Sequence, residues 1–272
     1  LTEVLTVIGV GGMGQVIARR LGAGKTVLLA DYNEDTLASV TESLSADGHH
    51  VESRSVDVAS PESVHGLAEY AASLGAVTQV AHTAGLSPSQ ASAEAILAVD
   101  LLGTALVLDE FGEIIAPGGA GVVIASMAGH MFPPLSSEQE KALAHNRPGE
   151  LLQLDFISSI TDPNMAYPIA KQANHIRVRA ASAHWGRRGA RINSISPGII
   201  STPMGQQELA SPVGDGMRAM VAMSATGRQG TPDDIAAATA FLLGPEATFI
   251  TGTDLLVDGG VIAAIKAGSP TS

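Results

Sequence analysis

Short apolar runs alternate with longer stretches of mixed polarity along the whole chain. Val4 to Ile8 is the first run, and a glycine-rich turn and a helical stretch through Leu21 follow it. Thr26 to Ala30 is the second, after which Asn33 to Ala46 reads as a helix. His50 to Val56 reads as a third strand. Pro61 to Leu74 is a helix with Ser60 as N-cap, Pro61 at its first position and Glu62 in its first turn. Val77 to Ala81, Gly121 to Ala125, Arg191 to Ser196 and Asp254 to Val257 complete the strands. Between them lies a long apolar helix from Ala93 to Ile115, stopped by Pro117-Gly118-Gly119. A later helix runs to about Trp185, and another runs from Thr231-Pro232-Asp233-Asp234 to Leu243. This alternation predicts an α/β fold on a parallel sheet with right-handed crossovers. Ligands of such sheets bind beyond the carboxyl ends of the strands. Gly9, Asp31, Asp57, Gly85 and Ser126 fall at those ends, so one rim is expected to carry them.

The segment 130–164 breaks the rhythm. It holds Pro133-Pro134, then Ser137-Glu138-Gln139-Glu140, which reads as a capping box, Arg147-Pro148-Gly149, which ends that helix, and Glu150-Leu151-Leu152-Gln153-Leu154, which reads as the start of another. It is too short to own a core, so it is expected to be a helical insertion, a lid or an interface element, within a single domain spanning 1–272. After Pro197-Gly198 the chain reads as a loop bearing Met204, Leu209, Met217 and Met220.

Composition narrows the function. Apolar residues make up 45% of the 272 and charged ones 15%, a globular balance with material for a large core. The net charge of −12 argues against nucleic acid and anionic membrane as partners, but not against an anionic cofactor held by backbone N–H groups. Cysteine is absent, which removes disulfides and thiolate zinc sites and suits a reducing compartment. No apolar run reaches about 18 residues, so a soluble, cytoplasmic protein is expected. The eight histidines show no ligand spacing with a neighbouring carboxylate, and no metal site is expected.

Gly9-Val10-Gly11-Gly12-Met13-Gly14 sits between the first strand and the first helix, the context a dinucleotide fingerprint requires. Gly9 permits the tight turn, Gly11 lets the backbone approach a pyrophosphate, and Gly14 lets helix and strand pack closely. Asp31 ends the second strand seventeen residues after Gly14. A carboxylate there binds the ribose diol of NAD and repels a 2′-phosphate. No Arg or Lys lies in the turn or directly after Asp31, beside Tyr32, so NAD is expected in preference to NADP.

Tyr167-Pro168-Ile169-Ala170-Lys171 puts a phenol and an ammonium one helical turn apart. A cation that close favours the phenolate and lowers the Tyr pKa from about 10, which suits general acid–base work. A half-buried Tyr with a nearby surface Lys would show the same spacing, so the pair alone does not decide.

Taken together and in order, these residues resemble the short-chain dehydrogenase/reductase family over nearly the whole chain. The resemblance rests on the glycine turn, Asp57-Val58, Thr83-Ala84-Gly85, Ser126, Tyr167 with Lys171, Pro197-Gly198 through Ile200 and Thr202, and Val257-Asp258-Gly259-Gly260. It implies a Rossmann-like, doubly wound sheet of about seven strands in the order 3-2-1-4-5-6-7. It also implies hydride transfer between a carbinol carbon and a nicotinamide, with Tyr167 as general acid/base and Ser126 on the substrate oxygen. Lys171 would tune Tyr167 and bind the ribose. Asp57 and Val58 would border the adenine, and 197–202 the nicotinamide end. A small alcohol or carbonyl compound is the expected substrate. The methionines of 204–223 are at a spacing that more often means plain packing than a substrate box; in this position they would face the reacting carbon, with Met127 and His130 also in reach, which makes a hydrophobic substrate the expectation.

Three features depart from the family pattern. The glycine turn is one residue short. Asp100 stands on the long helix where the family has Asn; a carboxylate there would pair with Lys171 or alter the proton relay. Ser126 and Tyr167 are forty-one residues apart, an insertion resembling that of the bacterial 3α-hydroxysteroid dehydrogenase/carbonyl reductase type. In the family the helices at about 93–116 and 166–185 pack on a partner subunit, so a homodimer or homotetramer is expected. The competing reading is a non-catalytic NAD-binding sensor or scaffold on the same fold.

Overall fold

The computed structural model describes residues 2–268. Seven parallel strands form its sheet in the order β3-β2-β1-β4-β5-β6-β7. They are β1 (Glu3–Ile8), β2 (Thr26–Asp31), β3 (His50–Ser55), β4 (Ala76–His82), β5 (Ala120–Ile124), β6 (Arg191–Pro197) and β7 (Asp254–Val257). Both faces are covered, so the central strands bury apolar side chains on each side. Val4 and Ile8 of β1, with Leu28 and Ala30 of β2, pack under α3 (Pro61–Leu74), α5 (Thr104–Ile114) and α9 (Pro163–Arg187). Leu5, Val7, Val27 and Leu29 point the other way, onto α1 (Gly12–Leu21), α2 (Glu34–Ala46) and α12 (Pro232–Leu243). Trp185 is 1% exposed and donates its indole N–H to the Leu108 carbonyl at 3.0 Å, locking α9 to α5.

Strand order reverses between β1 and β4, the place where such sheets open a ligand crevice. There Thr83 and Ala84 donate their N–H groups to the Ile8 carbonyl, at 2.7 and 2.9 Å.

Several elements differ from the sequence reading. The long helix from Ala93 is not continuous: α4 (Ala93–Ile96) passes into a π-helical stretch, Leu97–Gly103, before α5. The widened turn carries Asp100, and its carbonyl is satisfied by the Thr104 hydroxyl at 2.8 Å. The N-cap of α6 (Ser137–His145) is Ser136, paired with Gln139, and not Ser137; the S-x-x-Q spacing starts one residue earlier. Two further short helices follow, α7 (Pro148–Leu151) and α8 (Asp155–Ser158). The loop expected after Pro197-Gly198 contains α10 (Pro203–Ala210) and α11 (Gly214–Met223). The Thr202 side chain and Pro203 start α10 in the same way that Thr231 and Pro232 start α12. A last helix, α13 (Val261–Ala267), is held by the Asp258 carboxylate, which accepts from the N–H groups of Gly260 and Ile262 at 2.8 and 2.7 Å.

The insertion buries Leu143, Leu151 and Ile157 against Ile96, Leu97, Leu101, Ala170, Ala173 and Ile176. Arg177 of α9 fastens it. Its guanidinium donates to the carbonyls of Leu143 and Asn146 at the C-terminal end of α6, at 3.2 and 2.8 Å, and reaches Asp109 at 3.4 Å. A cation at the negative end of a helix adds to what the hydrogen bonds supply.

Candidate active site

The glycine turn is built as the sequence requires. Gly9 has φ +88°, and a Cβ there would lie 2.4 Å from the Ala84 nitrogen. A Cβ on Gly14 would fall 1.9 Å from the Gly9 carbonyl oxygen, so that helix and strand could not approach. Gly11, by contrast, faces open space. It is the N-cap of α1 and offers no side-chain acceptor, whereas Asn33, Ser60, Asp162 and Thr231 cap α2, α3, α9 and α12 through their side chains. The orphan N–H groups of α1 therefore have no side-chain cap, the arrangement that accepts a phosphate group. Met13 turns its side chain into packing and contributes backbone there. A Cβ on Gly12 would meet Thr202 at 2.8 Å, which brings the start of α10 over the turn.

Asp31 stands beside this rim. One carboxylate oxygen accepts from Val10 N–H at 2.7 Å and the other from Asn33 N–H at 2.9 Å. Tyr32 next to it is exposed. Asp57 accepts from Ala59 N–H at 2.9 Å, which fixes its turn, and Val58 is buried against Gly103. Thr83 donates its hydroxyl to the Gly9 carbonyl, tying the β4 end to the turn. Gly198 hydrogen-bonds the Val257 carbonyl at 3.0 Å. Ile200 packs in the apolar cluster under α12, and its carbonyl accepts from Thr202 N–H at 2.8 Å.

Ser126, Tyr167, Lys171 and Asp100 come together on the same side of the sheet. Ser126 follows β5 and lies beside Tyr167, its hydroxyl accepting from Ala128 N–H at 3.1 Å. Lys171 Nζ lies 5.4 Å from the centre of the Tyr167 ring and 3.0 Å from Asp100 Oδ2. Asp100 is 0% exposed and Lys171 is 4% exposed. The Leu86 N–H donates to Asp100 Oδ1 at 2.8 Å. A Cβ on Gly85 would press on Lys171 Nζ at 3.1 Å, so glycine makes the room for this pair. Asp100 thus pairs with Lys171, one of the two outcomes its place in the sequence allowed.

That pairing changes the electrostatics of the tyrosine. Lys171 pulls the phenol down as expected, and so does the neighbouring Ser126 hydroxyl. Burial pushes it up by more, and the Asp100 charge adds to the rise. The net direction is upward, opposite to the sequence expectation, because burial of the phenol outweighs the pull of Lys171 and Ser126. Burial pulls Lys171 down, but Asp100 and Tyr167 outweigh it, and the ammonium is held above its usual range.

Sequence reading passed over two buried neighbours. Asn174 of α9 is 0% exposed, and its amide nitrogen, correctly oriented, donates to the Asp100 and Ala170 carbonyls at 2.8 and 3.0 Å. His82, at the end of β4, lies 3.3 Å from the Thr104 hydroxyl. The only advance signal was their polarity at positions that the helix and strand patterns make interior. Met217 and Met220 pack with Met127, Ile199, Val261 and Ile262, and His130 turns away from the site toward Asp254.

The chain is 42% identical over 266 residues to the short-chain dehydrogenase/reductase bsc3 of Alternaria brassicicola, covering 97% of both chains. It belongs to the short-chain dehydrogenase/reductase family. The family profile described as short chain dehydrogenase matches residues 3–137, and that described as enoyl-(acyl carrier protein) reductase matches 132–262. A galactitol 2-dehydrogenase (L-tagatose-forming) of Cereibacter sphaeroides is 30% identical over 266 residues, covering 93% of this chain and 92% of its own. The 3-alpha-hydroxysteroid dehydrogenase/carbonyl reductase of Comamonas testosteroni is 29% identical over 186 residues, 67% of this chain and 72% of its own. In fold, a short-chain type dehydrogenase/reductase from Mycobacterium ulcerans superposes with a TM-score of 0.75 at 24% identity, over 96% of this chain and 90% of its own. This short-chain dehydrogenase/reductase is accordingly an oxidoreductase acting on CH–OH groups, in a family that binds NAD(P). No helix among its described residues is long and apolar enough to cross a membrane.

Proposed function

We propose that this single-domain enzyme interconverts a secondary alcohol and a ketone with NAD, using Tyr167 as general acid/base. The observation that carries the proposal is one rim holding the uncapped N-terminus of α1, Asp31, half-buried Ser126 and Tyr167, and the buried Lys171 and Asp100 pair. The N–H groups at the start of α1 would hold the pyrophosphate, and the Asp31 carboxylate the adenosine ribose. Bound nicotinamide supplies the hydride acceptor or donor. Ser126 holds the substrate oxygen by its hydroxyl. Tyr167, protonated at neutral pH in the free protein, gives its proton to a carbonyl during reduction and must lose it before it can accept one from an alcohol. Oxidation should therefore speed up as pH rises above neutral, and reduction should not. Lys171 stays charged against Asp100 and contacts the nicotinamide ribose. Relatives named for galactitol, a hydroxysteroid and cyclohexanol support a carbinol substrate, and Met127 with Leu86 near the site supports an apolar one.

Titration with NADH and with NADPH, followed by energy transfer from Trp185, tests the reading. NADH should bind more tightly, and Asp31→Ala should weaken it about tenfold, the loss of one charge-assisted hydrogen-bond set. Tyr167→Phe should keep cofactor affinity and lower kcat about 10²–10⁴-fold on any alcohol turned over. Binding of neither cofactor would overturn the proposal.

The insertion bears on assembly. It covers a face of the π-helical stretch and α9, helices that the family resemblance assigns to subunit contacts. We infer a homodimer formed through another face, and sedimentation of the purified protein as a tetramer would contradict that.

A further inference from the structure

One turn beyond Lys171, α9 carries His175, which belongs to a second polar cluster. His130 enters from the turn after β5, four residues past Ser126, and Asp254 is the first residue of β7. His130 Nε2 is 2.7 Å from Asp254 Oδ2, and His175 Nε2 is 3.5 Å from Asp254 Oδ1. The three ligand atoms all lie within 4.8 Å of one another. The two imidazole centres are 4.7 Å apart. Sequence spacing hid this group, because its members come from three separate elements.

We propose that His130, His175 and Asp254 form a site for one divalent zinc-like cation. Two imidazoles and one carboxylate are a set that zinc accepts, leaving a coordination position for water. In a tetrahedral site with bonds near 2.0 Å, ligand atoms sit about 3.3 Å apart. The separations of 2.7 and 3.5 Å run to the two different oxygens of Asp254, and His175 Nε2 also lies 2.8 Å from the Ser196 hydroxyl, so the side chains shift and release that contact to admit the ion. The surroundings hold the ligands in place. The Ser194 and Ser196 hydroxyls donate to Asp254 Oδ1 at 2.6 and 3.0 Å and fix the carboxylate plane, as outer-sphere groups do around metals. Gly129 leaves space for the His175 ring, since a Cβ there would lie 2.7 Å from its Cε1. A cavity of about 570 Å³ reaches the cluster and is also lined by Glu140 and Gln172, giving an entry path and room for water. The ion would tie β7 to the Ser126 turn and to the helix of Tyr167 and Lys171 without touching the reacting atoms. This inference does not depend on the proposed reaction.

Protein stripped with a chelator and titrated with zinc chloride by calorimetry tests it. The expected result is one ion per chain at micromolar affinity or tighter, with a rise in Tm. His175→Gln and Asp254→Asn should each weaken binding at least thirtyfold, and His49→Gln, away from the cluster, should not. X-ray absorption at the zinc edge of the wild-type protein reads the ligands without any variant and should show two imidazoles. No uptake, uptake indifferent to both substitutions, or a different imidazole count would leave the cluster as a hydrogen-bonded network and overturn the proposal.

Discussion

Two carboxylates meet α9 one turn apart, and they do different things. Asp100 is 0% exposed and faces a lysine, a permanent cation under physiological conditions. The Asp254 side chain is 11% exposed and faces two histidines and two serines, groups that can all be neutral. The first pair is closed: its charges answer each other, with the ammonium 5.4 Å from the Tyr167 ring centre. The second is open, with a partner that can be replaced by an ion. Burial alone does not separate a fixed ion pair from a ligand-ready cluster; the charge of the partner does.

Removal of each carboxylate is the largest test of this contrast. Asp100→Ala should cost about 3–5 kcal/mol in urea unfolding, because it strands a buried ammonium. Asp254→Ala should cost about 1–3 kcal/mol, because it strands only hydroxyls and an imidazole. Equal losses would show that the Lys171 side is more solvated than its burial indicates. Asp100→Asn keeps an acceptor for Leu86 N–H and should fall between them in stability, while relieving the upward push on Tyr167. The alkaline limb of alcohol oxidation should then move to lower pH.

The same contrast extends to a histidine that has no carboxylate. His82 is held at about 3 by burial and by the Lys171 charge. Its folded pKa is below the unfolded value, so only the unfolded chain takes up a proton as pH falls through about 6.5. Stability should be level above that pH and decline below it, by about 1.4 kcal/mol per unit until the folded pKa is reached. His82→Gln should flatten that slope in urea midpoints measured from pH 7 to 4.5. An unchanged slope would assign the acid sensitivity elsewhere.

What the sequence revealed follows the range of the interactions. The helix Pro61–Leu74 and the strand Asp254–Val257 were readable to the residue, since caps, proline and alternation are local signals. The π-helical stretch was not, because it exists to place Asp100 against a lysine seventy-one residues away. The helix from Pro203 was legible but passed over: Thr202-Pro203 is the start signal that was recognised at Thr231-Pro232. In the site, Ser126, Tyr167 and Lys171 stood out by family pattern. Asn174 and the His130, His175 and Asp254 group did not, since no short window contains their partners.

The smallest expected effect belongs to a third carboxylate, half-buried Glu208 of α10. It accepts from the N–H and the hydroxyl of Ser89 at 3.1 and 2.6 Å, while Gln90 donates to Gln207 at 3.1 Å. These bonds latch the segment after β4 to α10, above the Lys171 pair. Neither end is a buried charge, so Glu208→Ala should change stability by less than about 1 kcal/mol. The latch instead ties together two segments, and its loss should appear in KM by a few-fold with kcat nearly constant. A matching fall in kcat would mean that α10 positions Tyr167 as well as closing over it, and the line drawn between closed and open carboxylates would then have to include Glu208 on the catalytic side.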